Sequence, residues 1–308
     1  MATSTFAAVS TALSAGRRLV TAVPYFWLAV FFAVPFAIVF KISFSYMVPA
    51  QPGYAPLFEW LEESRRLVAT FNLANYQVLL QDSLYLNTFL YSLKVAAIST
   101  VLCLLLGYPM AYAIARSAPT TRNLFLMLII LPFWTSFLLR VYAWIGLLKT
   151  NGVINNTLLS LGIIDQPLVL LYTDFAVYVG IVYSYLPFMI LPLYSNLEKH
   201  DLTLLEAAAD LGAGPFKAFF KVTLPLSMPG IVAGCLLVFI PAVGEFVIPS
   251  LLGRTDQLMI GTVLSAQFFG ARNWPVAGAV AIVLLLVLLL PILLFQRYQR
   301  RELEAARR

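Results

Sequence analysis

The sequence predicts an all-α, polytopic membrane protein with six transmembrane helices, and three observations carry that prediction. Of 308 residues, 61% are hydrophobic and only 11% charged. Soluble domains run at about half apolar and a quarter charged, so much of this folded surface has to face lipid. Six apolar runs are long enough to span, since about 20 helical residues cross the hydrocarbon core. They cover residues 24–46, 87–115, 124–147, 168–194, 228–252 and 276–296. None alternates like a strand, and long apolar runs in lipid satisfy their backbone polar groups as helices. Residues 1–23 and 297–308 are then tails on either side of a membrane domain at 24–296.

The first run follows Arg17 and Arg18, as the core of a signal peptide would. It is longer than the usual ~7–15-residue signal core and lacks a clean small-residue cleavage site, so it reads as a retained helix. Lys and Arg in the loops set the orientation. One set of loops carries twelve (Arg17, Arg18, Arg116, Arg122, Lys199, Lys217, Lys221, Arg297, Arg300, Arg301, Arg307, Arg308). The alternate set carries five (Arg65, Arg66, Lys149, Arg254, Arg272). The richer set is expected on the cytoplasmic side, which puts both termini inside. Prolines recur within the runs, among them Pro35, Pro109, Pro132, Pro187, Pro192, Pro241, Pro249 and Pro291. Neighbouring helices can re-satisfy the carbonyls that such prolines free. The bland reading is ordinary kinking. The sharper one is a fifth span broken around Gly244 and Glu245, between Pro241 and Pro249, so as to line a pathway.

Other classes of chemistry find little support. The net charge of +6 is spread between apolar runs, not gathered in a stripe with stacking aromatics, so it does not point to nucleic acid. Cys103 and Cys235 lie within apolar runs, and His200 is the only histidine, so no metal-ligand spacing exists. The five Trp and fifteen Tyr suit membrane interfaces.

Two loops are informative. The longest outer loop, 47–86, opens with the turn-forming Pro49-Ala50-Gln51-Pro52-Gly53, and Phe58, Leu61 and Leu67 suggest a short surface helix after it. The inner loop, 195–226, is longer than the ~2–8 residues that usually join helices. Thr203 and Glu206 have capping-box spacing, predicting a helix to Leu211. Gly212 can end that helix in the left-handed conformation. Pro215 suits the first turn of a second helix carrying Lys217 and Lys221, which Leu224-Pro225 ends. Small residues on the first arm (Ala207, Ala208, Ala209) permit close approach by a partner. The loop therefore reads as a docking hairpin.

At this loop a family resemblance appears. Glu206-Ala207-Ala208, three residues, Gly212, nine residues, Val222, one residue and Leu224-Pro225 resemble the EAA motif of ABC importer permeases, with Val where the family usually has Ile. The resemblance extends over most of the chain. Leu131-Pro132-Phe133-Trp134-Thr135-Ser136-Phe137, Arg140-Val141-Tyr142-Ala143-Trp144, Phe239–Pro249 and Arg272-Asn273-Trp274-Pro275 are similar to polyamine permeases, most of all the putrescine subunit, with the spermidine subunit close behind. The resemblance implies a type I ABC importer permease fold with a cytoplasmic coupling-helix hairpin, in the bacterial inner membrane. It implies that Glu206, Ala207, Ala208, Gly212, Leu224 and Pro225 couple to an ATPase. It also implies as partners a homologous second permease, two copies of a cytoplasmic ABC ATPase and a periplasmic polyamine-binding protein. The chain lacks a G-x-x-x-x-G-K-[ST] loop, so it is expected to bind no cofactor itself and to be no enzyme; ATP and Mg2+ would sit in the partner ATPase.

Charges inside the runs are costly and usually face a bundle interior or a cavity. Lys94, Arg140, Asp174 and Glu245 all fall roughly 9–11 Å below the expected outer interface at ~1.5 Å per residue. Two readings stand together. One is a set of ion pairs, most simply Arg140 with Glu245. The other is a cation pathway in which Glu245 above all, with Asp174 and Arg140, handles an ammonium group beside Trp134, Tyr142, Trp144, Tyr183 and Tyr185 through charge pairing and cation–π contact. Against the polyamine reading stands the same machine for another small substrate, such as an amino-acid derivative, an anion or iron. A secondary transporter would leave the inner hairpin without a role.

Overall fold

The computed structural model describes residues 20–61 and 66–305. The expected N-terminal tail up to residue 19, with Arg17 and Arg18, lies outside the described residues, as do Glu62, Glu63, Arg65, Arg307 and Arg308. Two compact units emerge, one of the described residues up to Gln81 with Gln267–Val283, the other of Asp82–Ala266 with the described residues from Leu284 on. Among the described residues five helical stretches are long and apolar enough to cross a bilayer, or six when one pair bent by 65° counts as a single span.

In the first unit, α1 (Val20–Ser43) passes through a π turn at Ala29–Ala33, just before Pro35. Pro35 has no N–H for the carbonyl one turn back, and a wider turn absorbs that gap. None of the most apolar window of α1 is buried, so its side chains are free to meet lipid or a partner chain. Its last carbonyls are taken by Asn75 Nδ2, which donates to Ser43 O and Ser45 O, both at 2.9 Å. Asn75 itself sits on α2 (Ala74–Gln81).

Loop 47–86 departs from expectation. Where a surface helix was predicted, β1 (Phe58–Leu61) pairs antiparallel with β2 (Arg66–Ala69), in the register Phe58↔Ala69 to Leu61↔Arg66. Phe-Glu-Trp-Leu and Arg-Leu-Val-Ala are short and rich in aromatic or branched residues, which favours a strand pair over a helix of two turns.

The second unit is built on three long helices: α3 (Ser83–Arg116), and later α7 (Asp174–Leu197) and α10 (Met228–Val243). Small residues let them approach. A methyl group on Gly234 would stand 3.1 Å from Met189 O, and one on Gly107 would stand 3.0 Å from Met189 Cγ. One apolar cluster holds Cys103, Ala111, Met189, Leu193 and Val238; another holds Val95, Val141, Ile181, Val243 and Ile248.

The third run is not one helix. α4 (Pro119–Ile130) gives way to a 3-10 turn at Leu131–Trp134, and α5 (Phe137–Leu148) restarts after the extended Thr135 and Ser136. Pro132 cannot donate to the helix before it, and the chain leaves α geometry there. α5 continues through a turn into α6 (Val153–Ser160), so the apolar helical stretch is Phe137–Ser160. The fourth helix starts six residues later than predicted, at Asp174, capped by Thr173 Oγ1, which accepts the Ala176 N–H at 3.3 Å. The fifth stops at Val243 and restarts as α11 (Val247–Leu252), so the break falls at Gly244–Phe246. α12 (Ile260–Ser265) runs into a π turn, and α13 (Trp274–Ala305) closes the described chain.

Candidate functional site

The break between α10 and α11 is where the sixteen-residue helix ends on Gly244. Pro249 follows in the first turn of α11, where its missing N–H leaves the carbonyl of Glu245 without a helical partner. The Glu245 side chain fills the gap from the other direction. Its Oε1 accepts the N–H groups of Phe246, Val247 and Ile248 at 3.1, 2.9 and 3.4 Å. Its Oε2 accepts the hydroxyl of Tyr185 on α7 at 2.5 Å. A carboxylate over the free N–H groups that begin a helix is favourably placed for both hydrogen bonding and the local dipole. Glu245 is 7% exposed.

Segment 259–261 wedges behind the break. Ile260 N–H donates to the buried Ser92 Oγ at 2.7 Å. A methyl group on Gly261 would stand 2.7 Å from Glu245 O and closer still to Gly244 O. Any side chain there would displace the Glu245 backbone.

In front of Glu245 lies a cavity of about 460 Å³, lined by Arg140, Ser184, Tyr185 and Glu245 with the rings of Phe133, Phe137, Phe188 and Phe246. Arg140 and Glu245 thus share a cavity, yet the expected ion pair between them is absent. Among the described residues the ion pairs are Arg122–Glu198 and Arg254–Asp256. The Arg140 guanidinium instead lies over Phe133 (5.2 Å to the ring centre) and Phe137 (5.7 Å), and its Nε is buried without a hydrogen-bond partner. Each such contact contributes about 0.5–2 kcal/mol, while Glu245 is already supplied with four donors.

The remaining candidates lie elsewhere. Asp174, at the first residue of its helix and not six residues inside it, accepts the Tyr91 hydroxyl at 2.9 Å. It does not line the Glu245 cavity. Trp134 is 82% exposed and Tyr142 58%, while Trp144 stacks edge-on against Tyr183 at 5.5 Å; none of these lines the cavity. Of the aromatics considered from sequence, Tyr185 alone lines it. The rings of Phe133 and Phe137, which line it and flank Arg140, were missed from the sequence, because the chain leaves helical geometry between them at Thr135 and Ser136. The role of Gly261 was missed too, because nothing local ties it to a break sixteen residues earlier.

At the other end of the unit is the hairpin. α8 (Thr203–Asp210) carries Glu206, Ala207 and Ala208. Its start corrects the sequence reading: Thr203 is the first helical residue, and the capping oxygen is Asp201 Oδ1, which accepts the Thr203 N–H at 3.0 Å. That bond holds the Asp201 carboxyl below its ordinary pKa. The end follows expectation. Gly212 has φ +75°, its N–H reaches Ala209 O, and the Ala213 N–H reaches Ala208 O, both at 2.9 Å, the paired pattern of a Schellman stop.

The second arm, α9, is longer than predicted. It runs Pro215–Leu226 through a π turn at Phe219–Thr223, so Leu224-Pro225 lies inside it and the corner comes at Ser227. Pro225 has no N–H to give Lys221 O, and the π turn takes up the fault. Large apolar side chains stand in the open on both arms: Leu211 at 87% and Phe216 at 83%, with Leu204 and Phe220. Such a patch on a structured hairpin marks a contact surface.

Comparison with known proteins agrees with this arrangement. The chain is 47% identical over 230 residues to the spermidine/putrescine transport system permease protein PotB of Escherichia coli K12, covering 75% of this chain and 83% of that protein. It is 40% identical over 287 residues to PotB of Haemophilus influenzae, covering 93% and 94%. Among solved structures it resembles a bacterial ABC transporter involved in the import of alginate (TM-score 0.65, 17% identity, 95% and 99% covered). It also resembles the MetNI methionine ABC transporter (TM-score 0.52, 18% identity, 71% and 95% covered). Both likenesses are of fold. Residues 103–304, which hold the end of α3, the whole of α7 and α10, the hairpin and the break, match the binding-protein-dependent transport system inner membrane components, and the chain belongs to that family.

Proposed function

We propose that this chain forms half of the translocation pathway of an ATP-driven polyamine importer. The observation that carries the reading is its similarity to spermidine/putrescine permeases along 93% of its length. In this reading a homologous second permease completes the pathway, and a periplasmic polyamine-binding protein delivers the cargo. Two cytoplasmic ATPase copies bind ATP and Mg2+, and each permease docks one through its hairpin. Here Glu206, Ala207, Ala208, Gly212, Leu224 and Pro225 form the docking element. The described ends of the chain face the cytoplasm and residues 47–86 face outward.

Within the pathway, Glu245 receives a protonated amine. Its Oε2 is held by a single donor, Tyr185, on the cavity side. The ring-lined wall suits the methylene chain of a polyamine, and its ring faces suit the ammonium. Arg140 stands in the same cavity as a fixed positive charge that an empty site keeps near Glu245. Asp174, Trp134, Tyr142 and Trp144 lie outside this cavity and serve the approach to it.

Labelled putrescine uptake is the test, in cells lacking the gene and with the gene restored. Restored uptake that excess spermidine leaves intact supports a putrescine-selective importer, and uptake abolished by spermidine widens the cargo to polyamines. No restoration with the partner subunits present overturns the polyamine reading. Glu245→Gln should lower uptake about tenfold or more, the worth of a hydrogen bond to a charged group, with the complex still assembled. Normal uptake by this variant removes Glu245 from the pathway.

A further inference from the structure

The corner between α9 and α10 bends by 65° at Ser227 and is held by side chains from two other elements. Ser227 is wholly buried, and its hydroxyl donates to Leu224 O at 2.8 Å. Its Oγ also lies 2.9 Å from the hydroxyl of Tyr108 on α3. With the serine proton committed to Leu224, Tyr108 is the donor in this pair. The Tyr108 ring meets Phe219 of α9 edge-on at 5.6 Å, so one side chain grips both the corner and the arm. A second tie comes from His200. Its Nε2 lies 3.2 Å from Leu226 O, the last carbonyl of the arm, and 3.2 Å from Asn196 Oδ1 at the end of α7. Asn196 also backs the first turn of α10, where a methyl group on Gly230 would stand 2.8 Å from its Cβ.

The same two long helices hold the far end of α10. α7 supplies Tyr185 to Glu245, and α3 supplies Ser92 to the segment behind the break. A free corner would absorb displacement of the hairpin in its own backbone angles, as hinges do. A corner tied to α3 and α7 passes it on. We infer that Tyr108 is a positioning residue that makes the α9–α10 corner a rigid elbow, so that movement of the docking hairpin reaches the Gly244–Phe246 break instead of being spent at Ser227. This rests on the reading of the hairpin as the ATPase-docking element.

The test uses the full complex in proteoliposomes with its binding protein. Tyr108→Phe removes the hydroxyl and keeps the ring; Ser227→Ala removes its partner. Each should leave ATP hydrolysis near that of the unaltered complex while putrescine carried per ATP falls about threefold or more. The double variant should be no worse than the poorer single one, because both remove the same bond. A merely structural role would lower the amount of complex and both activities together, leaving the ratio unchanged, and that result overturns the elbow. A second readout does not need the cargo. Spin labels at Lys217→Cys and Ser250→Cys, in a chain with Cys103→Ala and Cys235→Ala, report the distance from arm to break. The change on adding ATP should shrink in Tyr108→Phe, and an undiminished change overturns the proposal. If the unaltered chain shows that change but carries no putrescine, the polyamine reading fails and the elbow stands. If it shows no change with ATP at all, the docking reading falls and the elbow falls with it.

Discussion

Glu245 does two things at once, and substitutions separate them. Its Oε1 collects three N–H groups that start α11, while Oε2 faces the cavity beside Tyr185. Glu245→Gln retains an oxygen for the N–H groups; it loses the charge, and its NH2 meets the Tyr185 hydroxyl as a donor where Oε2 accepted. Glu245→Ala leaves those donors buried and unpaired, at a cost of about 1–3 kcal/mol. Thermal unfolding in detergent should therefore separate the pair: the Gln variant melts near the unaltered protein and the Ala variant clearly lower. Equal melting would mean that the carboxylate does not cap the helix. Gly261 acts on the same backbone from behind. Gly261→Ala brings a methyl group against the carbonyls of Gly244 and Glu245, an overpacking that costs about 1–3 kcal/mol where the backbone has to shift. Transport and melting temperature should both fall. If they hold, segment 259–261 has room that the packing denies.

The hairpin and its corner show how an element adds to its residues. Burial holds the His200 imidazole below the ordinary histidine pKa; the Leu226 carbonyl opposes that shift, and the nearby Arg116 favours it. Two residues before His200, Glu198 pairs with Arg122 of α4 at 2.6 Å, the two charges offsetting each other. A group whose folded pKa is depressed contributes stability that is present above its unfolded value, about 6.5 for histidine, and lost as the pH falls through the folded one. Melting temperature should thus drop between pH 7.5 and about pH 5.5, and His200→Gln, which stays neutral, should drop less. An identical drop would take His200 out of the corner. Much of this element was legible beforehand. Gly212 and Pro215 are punctuation that local backbone physics dictates, and both stand where they were read. Asp201 and Thr203 were not separable, because either oxygen can cap a helix one or two residues on. The π turn before Pro225 was hidden because a helix fault needs the surrounding packing to decide how it is absorbed. The broken fifth helix was legible from two prolines around a Gly-Glu pair, whereas the split third run carried a single proline with no glycine beside it. The residues of the cavity come from the 3-10 turn at Leu131–Trp134, α5, α7 and the chain around the break, so their meeting is a tertiary fact that spacing along the chain does not contain.

At the scale of the whole chain, the decisive property is that its apolar surface is not hidden. α1 exposes Phe26 and Trp27 at 69% and 61%, and α3 and α13 expose Leu105 and Leu290 at 65% each. In water such surface would drive aggregation; in a bilayer it costs nothing, because lipid is as apolar as the side chains. What the bilayer does discriminate is which side a basic loop lies on, and the sequence places twelve Lys and Arg on one set of loops against five on the other. Lys149 and Lys217 belong to opposite sets, and both side chains are exposed. In a chain with Cys103→Ala and Cys235→Ala, Lys149→Cys should react with a membrane-impermeant maleimide added to intact spheroplasts. Lys217→Cys should react only after the membrane is opened. The hairpin's exposed Leu211 and Phe216 would then face the compartment that holds ATP. The reverse labelling pattern would turn that apolar surface outward, where no ATPase can reach it, and would take the coupling role away from residues 203–226 whatever their resemblance.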